Sequence, residues 1–378
     1  MVILSHFLIN PIANAASSTS LRNFLLARAK RVVQIEQPFP NSKDKFVYVL
    51  EYKEGKLVNK MKYKAIKRPS WFAYLVHPLI NLYFLLKVGL KEELAIACDN
   101  LSFVSVYPLR KLGFIGSTIY YSVDYVEKRF DNKLLNVIYH LIDRFALYNS
   151  DVNWVVNKKQ IEARRKNGVD LNRCASFKVV PIGFRSAEIA IKPVSKIDYY
   201  HLVFCGTLRE TAGPELPVLA LPKIRKKLPN VHVTFVGGGD RTKLVELAKQ
   251  LKIEKYVEFK QNIVSHKNLV NILTKCSIGL APYEPTPGSM SINSDPGKIK
   301  LYLLCGLPVI TTKVATSYKA INQAVAGEVI SYSKDALADA VIKILADKKK
   351  YISYKSKAIK LGEKYDSDNI FREALGLK

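Results

Sequence analysis

Acidic residues are scarce in this sequence: 32 Asp and Glu stand against 59 Lys and Arg, which leaves a formal net charge of +27. The partners expected for such a chain are anionic, namely nucleotide diphosphates, phospholipid head groups or nucleic acid, and charge alone does not choose among them. Cysteine is also sparse. Cys98, Cys174, Cys205, Cys276 and Cys305 are odd in number and widely spaced, and several fall in apolar strand-like runs. That argues against a disulfide framework or a zinc cluster and reads as buried thiols in a reducing compartment. The six histidines show no spacing such as H-E-x-x-H, so neither a metal centre nor a bound cofactor is expected. Low-complexity tracts and repeats of 20–50 residues are absent. The start, MVILSHFLINPIA, has no cationic leader before its apolar residues; it reads as a first strand, and the protein is expected on the cytoplasmic side.

One long run has no formal charge. Residues 69–86, PSWFAYLVHPLINLYFLL, are nominally long enough to span a bilayer, but His77, Pro78 and Asn81 interrupt them. Three readings stand: a core helix with an exposed apolar face, a helix lying in a membrane interface, and a span. The basic run from Lys43 to Arg68 directly before it favours the interfacial helix over the span.

The 378 residues suffice for two domains, and hydrophobic residues at 48% make the chain globular. Apolar runs at Met1–Leu8, Arg31–Ile35, Leu94–Cys98, Ser117–Val123 and Val152–Val156 read as strands, and Leu134–Tyr148 has helical apolar spacing. From Tyr199 the alternation sharpens: strands at 201–205, 231–236, 256–259, 277–281 and 308–311, with helices near 214–228, 241–251, 266–274 and 296–305. Alternating strands and helices predict parallel sheets covered on both faces. Two such halves, joined near Ser186–Tyr199, predict an α/β chain of two doubly wound, Rossmann-like domains facing a cleft. Ligands then belong beyond the carboxyl ends of the strands.

Three segments carry candidate chemistry. In Ser294-Asp295-Pro296-Gly297-Lys298-Ile299-Lys300 a Pro-Gly turn opens a helix whose free N–H groups and positive dipole end suit a diphosphate, with Lys298 adding fixed charge. Gly306 then stops that helix before the strand Leu307-Pro308-Val309-Ile310. Phe204-Cys205-Gly206-Thr207-Leu208-Arg209 is a strand end with a glycine turn that lets a ligand approach the backbone, and Arg209 can pair with phosphate oxygens. Val236-Gly237-Gly238-Gly239-Asp240 is a third strand-and-glycine turn, more structural than functional, and it lacks the spacing of a dinucleotide fingerprint. Asp124, at a strand end in the first half, is the best-placed carboxylate, although a lone Asp there is commonly a cap or turn residue. His140 and Arg144 share a helix face and read chiefly as a structural pair.

The order and spelling of these segments resemble the donor domain of glycosyltransferase family 4: strand-G-x-L, strand-G-G-G-D, Val257-Glu258-Phe259, Ile278-Gly279-Leu280-Ala281-Pro282-Tyr283, then D-P-G-K-I-K-x-Y and G-L-P-V-I. Tyr121-Ser122-Val123-Asp124-Tyr125-Val126, Arg129-Phe130, Asn132 and Glu162-Ala163-Arg164 resemble the acceptor domain of a bacterial or archaeal branch. The resemblance implies a GT-B fold, with an acceptor domain over 1–190, a donor domain over 191–355 and a closing helix over 356–378.

It further implies metal-independent transfer of a hexosyl group from a UDP- or GDP-sugar, with retention, to a lipid-linked saccharide or glycolipid at a membrane surface. Gln261, Asn262 and Ile263 would then contact the base. Gly206, Thr207, Arg209, Pro282, Tyr283 and the segment Asp295, Pro296, Gly297, Lys298 and Ile299 would hold diphosphate and sugar. Asp124, Arg209 and Lys298 are the catalytic candidates. The chain departs from the family in two places: Asn293 and Leu301 stand where two glutamates are usual, and Thr207 and Ala212 replace a basic pair. A catalytically impaired nucleotide-sugar binder is therefore the alternative. Nucleic-acid binding, motivated only by net charge, has no helix-turn-helix, zinc-finger or RNA-recognition signature behind it.

Overall fold

A computed structural model describes residues 1–7, 17–38, 44–65, 70–89, 91–261, 265–286 and 296–377. The chain divides into two compact units, Met1–Pro181 with Phe371–Lys378, and Ile182–Ile370. Just past the break, within the second unit, Phe184 bridges to Asp366, with the Phe184 amide donating to the Tyr365 carbonyl at 3.1 Å.

The first unit runs β1 (Val2–Phe7), α1 (Ser17–Leu26), β2 (Arg31–Pro38), β3 (Phe46–Lys53), β4 (Lys56–Lys64), α2 (Ser70–Lys87), β5 (Glu92–Ala97), α3 (Asn100–Lys111), β6 (Ile115–Ser122), α4 (Lys133–Asn149), β7 (Val152–Val155), α5 (Lys159–Lys166) and β8 (Phe177–Val179). Its sheet has the order β4-β3-β2-β1-β5-β6-β7-β8. β2, β1 and β5 to β8 are parallel, whereas β3 and β4 add an antiparallel ribbon.

That ribbon corrects the expectation of a purely parallel first half. Its turn is Lys53-Glu54-Gly55-Lys56, with φ of 47° and 73° at the two central residues, as a two-residue hairpin of the I′ type requires. The basic run is thus largely strand. Alternation turns Met61 and Tyr63 onto the core, where Tyr63 lies 4.5 Å from Phe84, and leaves Lys60, Lys62 and Lys64 exposed on an edge strand. Lysines there discourage edge-to-edge pairing.

α2 occupies most of the charge-free run. It buries Phe84 and Leu85 and leaves Leu79, Tyr83 and Leu86 more than half exposed. Asn81 is buried and accepts a 2.9 Å hydrogen bond from Gln37, so the polar interruption serves the core. No helix among the described residues is long and apolar enough to cross a membrane.

The second unit runs β9 (His201–Cys205), α6 (Glu215–Lys227), β10 (His232–Val236), α7 (Thr242–Gln250), β11 (Val257–Lys260), α8 (His266–Leu273), β12 (Ile278–Ala281), α9 (Gly297–Leu304), β13 (Val309–Thr312), α10 (Tyr318–Ala324), β14 (Gly327–Ile330), α11 (Lys334–Leu345) and α12 (Lys348–Gly362). α13 (Ser367–Ala374) carries the chain from the second unit to the first, within which its Phe371 stacks on Trp154 and packs on Phe24. The second sheet is parallel throughout in the order β11-β10-β9-β12-β13-β14. Every strand and helix boundary read from the sequence between 201 and 311 agrees to within one residue.

Candidate functional site

The second sheet starts at β9, builds outward through β10 and β11, then returns to the other side of β9 with β12. The connection reverses between β9 and β12, and in open parallel sheets the carboxyl ends of the strands at such a switch point are where ligands bind. Gly206 follows β9, and Pro282 and Tyr283 follow β12.

Glycine is required at these turns because backbones meet there. A Cβ on Gly237 would lie 2.1 Å from the Gly206 carbonyl oxygen, and one on Gly213 would lie 1.9 Å from that of Pro282. The Gly206 amide donates to the Val236 carbonyl at 2.8 Å, and Leu208 donates to Gly238 at 2.9 Å, so the two glycine turns are laced together.

α9 enters this region with Pro296 as its N-cap residue and no side-chain cap. Its first amides therefore have no intrahelical acceptor, and no side chain caps them among the described residues. The other end is closed as the sequence predicts. Gly306, at φ 75°, donates to Leu303, and Leu307 donates to Tyr302, which together form a Schellman motif. The helix is pinned to the sheet by Tyr302, whose hydroxyl accepts from the Cys205 amide and donates to the Leu280 carbonyl, while its ring covers Gly279, where a Cβ would lie 2.4 Å from the ring.

Lys298 extends from the first turn of α9 toward Gly206; a Cβ on Gly206 would be 3.6 Å from Lys298 Nζ. The stem is partly exposed, but Nζ is buried, with no hydrogen-bond acceptor among the described residues. It rests 4.2 Å from the Phe204 ring centroid and 4.8 Å from that of Tyr283. Burial pushes its pKa down to about 8; the thiol of Cys205 opposes this and the guanidinium of Arg209 adds to it. A desolvated ammonium, an uncapped helix start and an exposed arginine are collected at one switch point. Such an arrangement favours a multiply charged anion.

Residues 187–361, just under half of the chain, match the family described as Glycosyl transferases group 1. The chain carries a glycosyltransferase domain. The GT-B architecture extends across all of the chain. Sucrose-phosphate synthase from Thermosynechococcus elongatus superposes with TM-score 0.67 at 15% identity, covering 100% of this chain and 97% of that one. Anabaena Alr3699/HepE in complex with UDP gives 0.69 at 14% identity, with 100% and 99% covered. WaaG, a glycosyltransferase involved in lipopolysaccharide biosynthesis, gives 0.67 at 15% identity, with 98% of each covered. At these identities the likeness is one of fold. No curated protein sequence matches.

In the structure the sequence-derived candidates separate into groups. Gly206, Tyr283, Gly297 and Lys298 share the β9/β12 switch point, and Thr207 and Arg209 are exposed beside it. Pro282 is buried, and its carbonyl faces Gly213. Ile299 is fully buried, so only its backbone can serve a ligand. Gln261 follows β11, its side chain donating to Gly239 at 2.9 Å. Asn262, Ile263, Asn293 and Asp295 lie outside the described residues. Leu301 is buried in the core.

In the first unit Asp124 follows β6, is well exposed and pairs with Arg129 at 3.7 Å. His140 and Arg144 are each engaged with a backbone carbonyl, of Glu127 at 2.9 Å and Asn167 at 2.6 Å. Arg164 is structural: fully buried, it makes two bonds to Asp143, at 2.8 and 2.9 Å, and one to Ser122 at 2.6 Å.

Sequence reasoning missed two features. One is the stacking of His266 on Phe184, 5.6 Å apart and 9° from parallel; a Cβ on Gly297 would lie 3.3 Å from Phe184. The aromatic character of Phe184 in Val180-Pro181-Ile182-Gly183-Phe184 was the available signal. The other is a cluster of Asp198, His201 and His232 at the amino ends of the strands, which no recognised spacing marks.

Proposed function

We propose that this protein transfers a hexosyl group from a UDP- or GDP-sugar to a lipid-linked saccharide or glycolipid, without a metal and with retention, as a cytoplasmic enzyme of the family 4 type. The observation that carries the donor assignment is Lys298. An ammonium buried without an acceptor among the described residues, at the uncapped start of α9, is costly unless an anion completes it. A nucleotide diphosphate supplies that anion. Alr3699/HepE, a protein of the same fold, has been determined with UDP and with UDP-glucose, which supports a uridine donor.

The reaction needs charge stabilised on the leaving diphosphate as the anomeric bond loosens. Lys298, the free amides of α9 and Arg209 are preorganised for that charge and need little reorganisation. Retention lets the departing phosphate accept the acceptor's proton, and Asp124 is assigned to the acceptor hydroxyl. The exposed lysines of β4 and the apolar residues Leu79, Tyr83 and Leu86 of α2 belong to one unit and support peripheral contact with an anionic bilayer.

A second reading, a donor-binding protein without turnover, is favoured by Leu301. It is a core residue at the position where the family it resembles has a glutamate. Incubating purified protein with UDP- and GDP-sugars separates the two readings. Hydrolysis or transfer supports the enzyme; tight binding with no turnover over a broad acceptor panel supports the second reading.

A further inference from the structure

The opposite end of the second sheet holds a separate constellation. β9 and β10 begin on two histidines in register, His201 and His232. The length of the strands, about 3.3 Å per residue, separates them from Gly206 and the donor site. Asp198, in the turn before β9, is fixed by its amide to the Lys275 carbonyl at 2.8 Å, and its carboxylate lies 3.3 Å from His232 Nε2. One ligating atom from each of Asp198, His201 and His232 lies within 4.8 Å of the others.

The neighbours decide the tautomer of His201. Thr234 gives its single hydroxyl proton to Glu258 at 2.9 Å and so accepts from His201 Nε2 at 2.6 Å. The lone pair is left on Nδ1. Cys276 Sγ is 3.6 Å from that nitrogen but only 3.3 Å from the Ile272 carbonyl, which takes the thiol proton. A histidine whose outer nitrogen is tied through a hydroxyl to a carboxylate has the outer-shell support that orients metal ligands.

We propose that Asp198, His201 and His232 bind a transition-metal dication of the zinc class. Tetrahedral nitrogen and oxygen ligands at about 2.1 Å from an ion sit about 3.4 Å apart, and the Asp198–His232 pair is already at 3.3 Å. The two rings are stacked at 4.4 Å with 28° between their planes, so coordination requires one to turn about its Cβ–Cγ bond. His232 has the room: it is partly exposed and lines a cavity of about 460 Å³ with Arg225, Tyr256 and Glu258. An ion here would tie the starts of β9 and β10 to the segment that enters the second unit. It would act on stability, away from sugar transfer.

The test uses tag-free, full-length protein dialysed against chelator, then titrated with Zn²⁺ by calorimetry and with Co²⁺ by visible absorption. One ion per chain, tetrahedral cobalt absorption and a melting temperature that climbs with Zn²⁺ concentration are expected. Asp198→Asn and His232→Gln alter partly exposed side chains, and both should weaken Zn²⁺ binding about tenfold or more while the metal-free variants keep the wild-type circular dichroism. Absence of saturable binding, or binding undiminished in both variants, overturns the proposal.

Discussion

The Cys205 amide donates to the Tyr302 hydroxyl at 2.5 Å. The last residue of β9 is thereby fixed to a side chain of α9, so the glycine turn at 206 and the helix start at 297 share one rigid frame. Tyr302→Phe leaves the buried amide without its acceptor. The expected result is a loss of about 1–3 kcal/mol, read as a lower melting temperature, together with weaker UDP binding by calorimetry. Unchanged values for both would mean that the contact does not organise the site.

Adjacent glycines should respond differently to the same added methyl. A Cβ on Gly237 would lie 2.1 Å from the Gly206 carbonyl oxygen in a backbone with φ 145°, whereas one on Gly238 meets nothing within 4 Å. Gly237→Ala should cost several kcal/mol or prevent folding, and Gly238→Ala should stay within about 0.5 kcal/mol of wild type. Thermal melts of the two variants make the comparison.

Glu36 carries a pH signature. It is buried at the carboxyl end of β2, accepting from Gln34 at 2.7 Å, and burial raises its pKa from 4.5 to about 7 against the lowering pull of Arg22. Between these values the folded state holds a proton that the unfolded state releases, so the stabilisation present below pH 4.5 is lost as pH rises through about 7. The magnitude is on the order of 3 kcal/mol. Glu36→Gln should flatten the denaturation midpoint between pH 5 and pH 8 and be the more stable protein at pH 8, as urea titrations across that range will show.

Membrane contact predicts a charge effect. Wild-type protein should sediment with vesicles containing anionic lipid, and changing Lys60, Lys62 and Lys64 of β4 to Glu should reduce the bound fraction severalfold and make it less salt-sensitive. Equal sedimentation before and after the change counts against the role of β4.

The second unit was legible because its strands are short apolar runs bounded by glycine and proline, a pattern with little competing interpretation. Gly206 and Gly306 were legible for the same reason: both sit at positive φ in turns, where local backbone chemistry favours glycine. The β3–β4 ribbon was misread as a charged run because lysines at alternate positions hid a period of two. Val47-Tyr48-Val49 before Glu54-Gly55 was the signal that could have revealed it. The aromatic faces that Phe204 and Tyr283 offer Lys298 come from β9 and from the segment after β12, and local spacing holds no record of such a meeting. Arg164 was grouped with acceptor-domain motifs, but its partner Asp143 lies on another helix and makes it part of the core.

The central claim is that Lys298 and the start of α9 hold the donor diphosphate. UDP affinity, measured by calorimetry at pH 7 and pH 9 for wild type and Lys298→Met, tests it most directly. The account predicts that the wild type binds more weakly at pH 9, because the free ammonium loses its proton near pH 8. Lys298→Met should bind about 10- to 100-fold more weakly at pH 7 and lose that pH dependence. Equal affinity in the two proteins, or the same pH dependence in both, would contradict it.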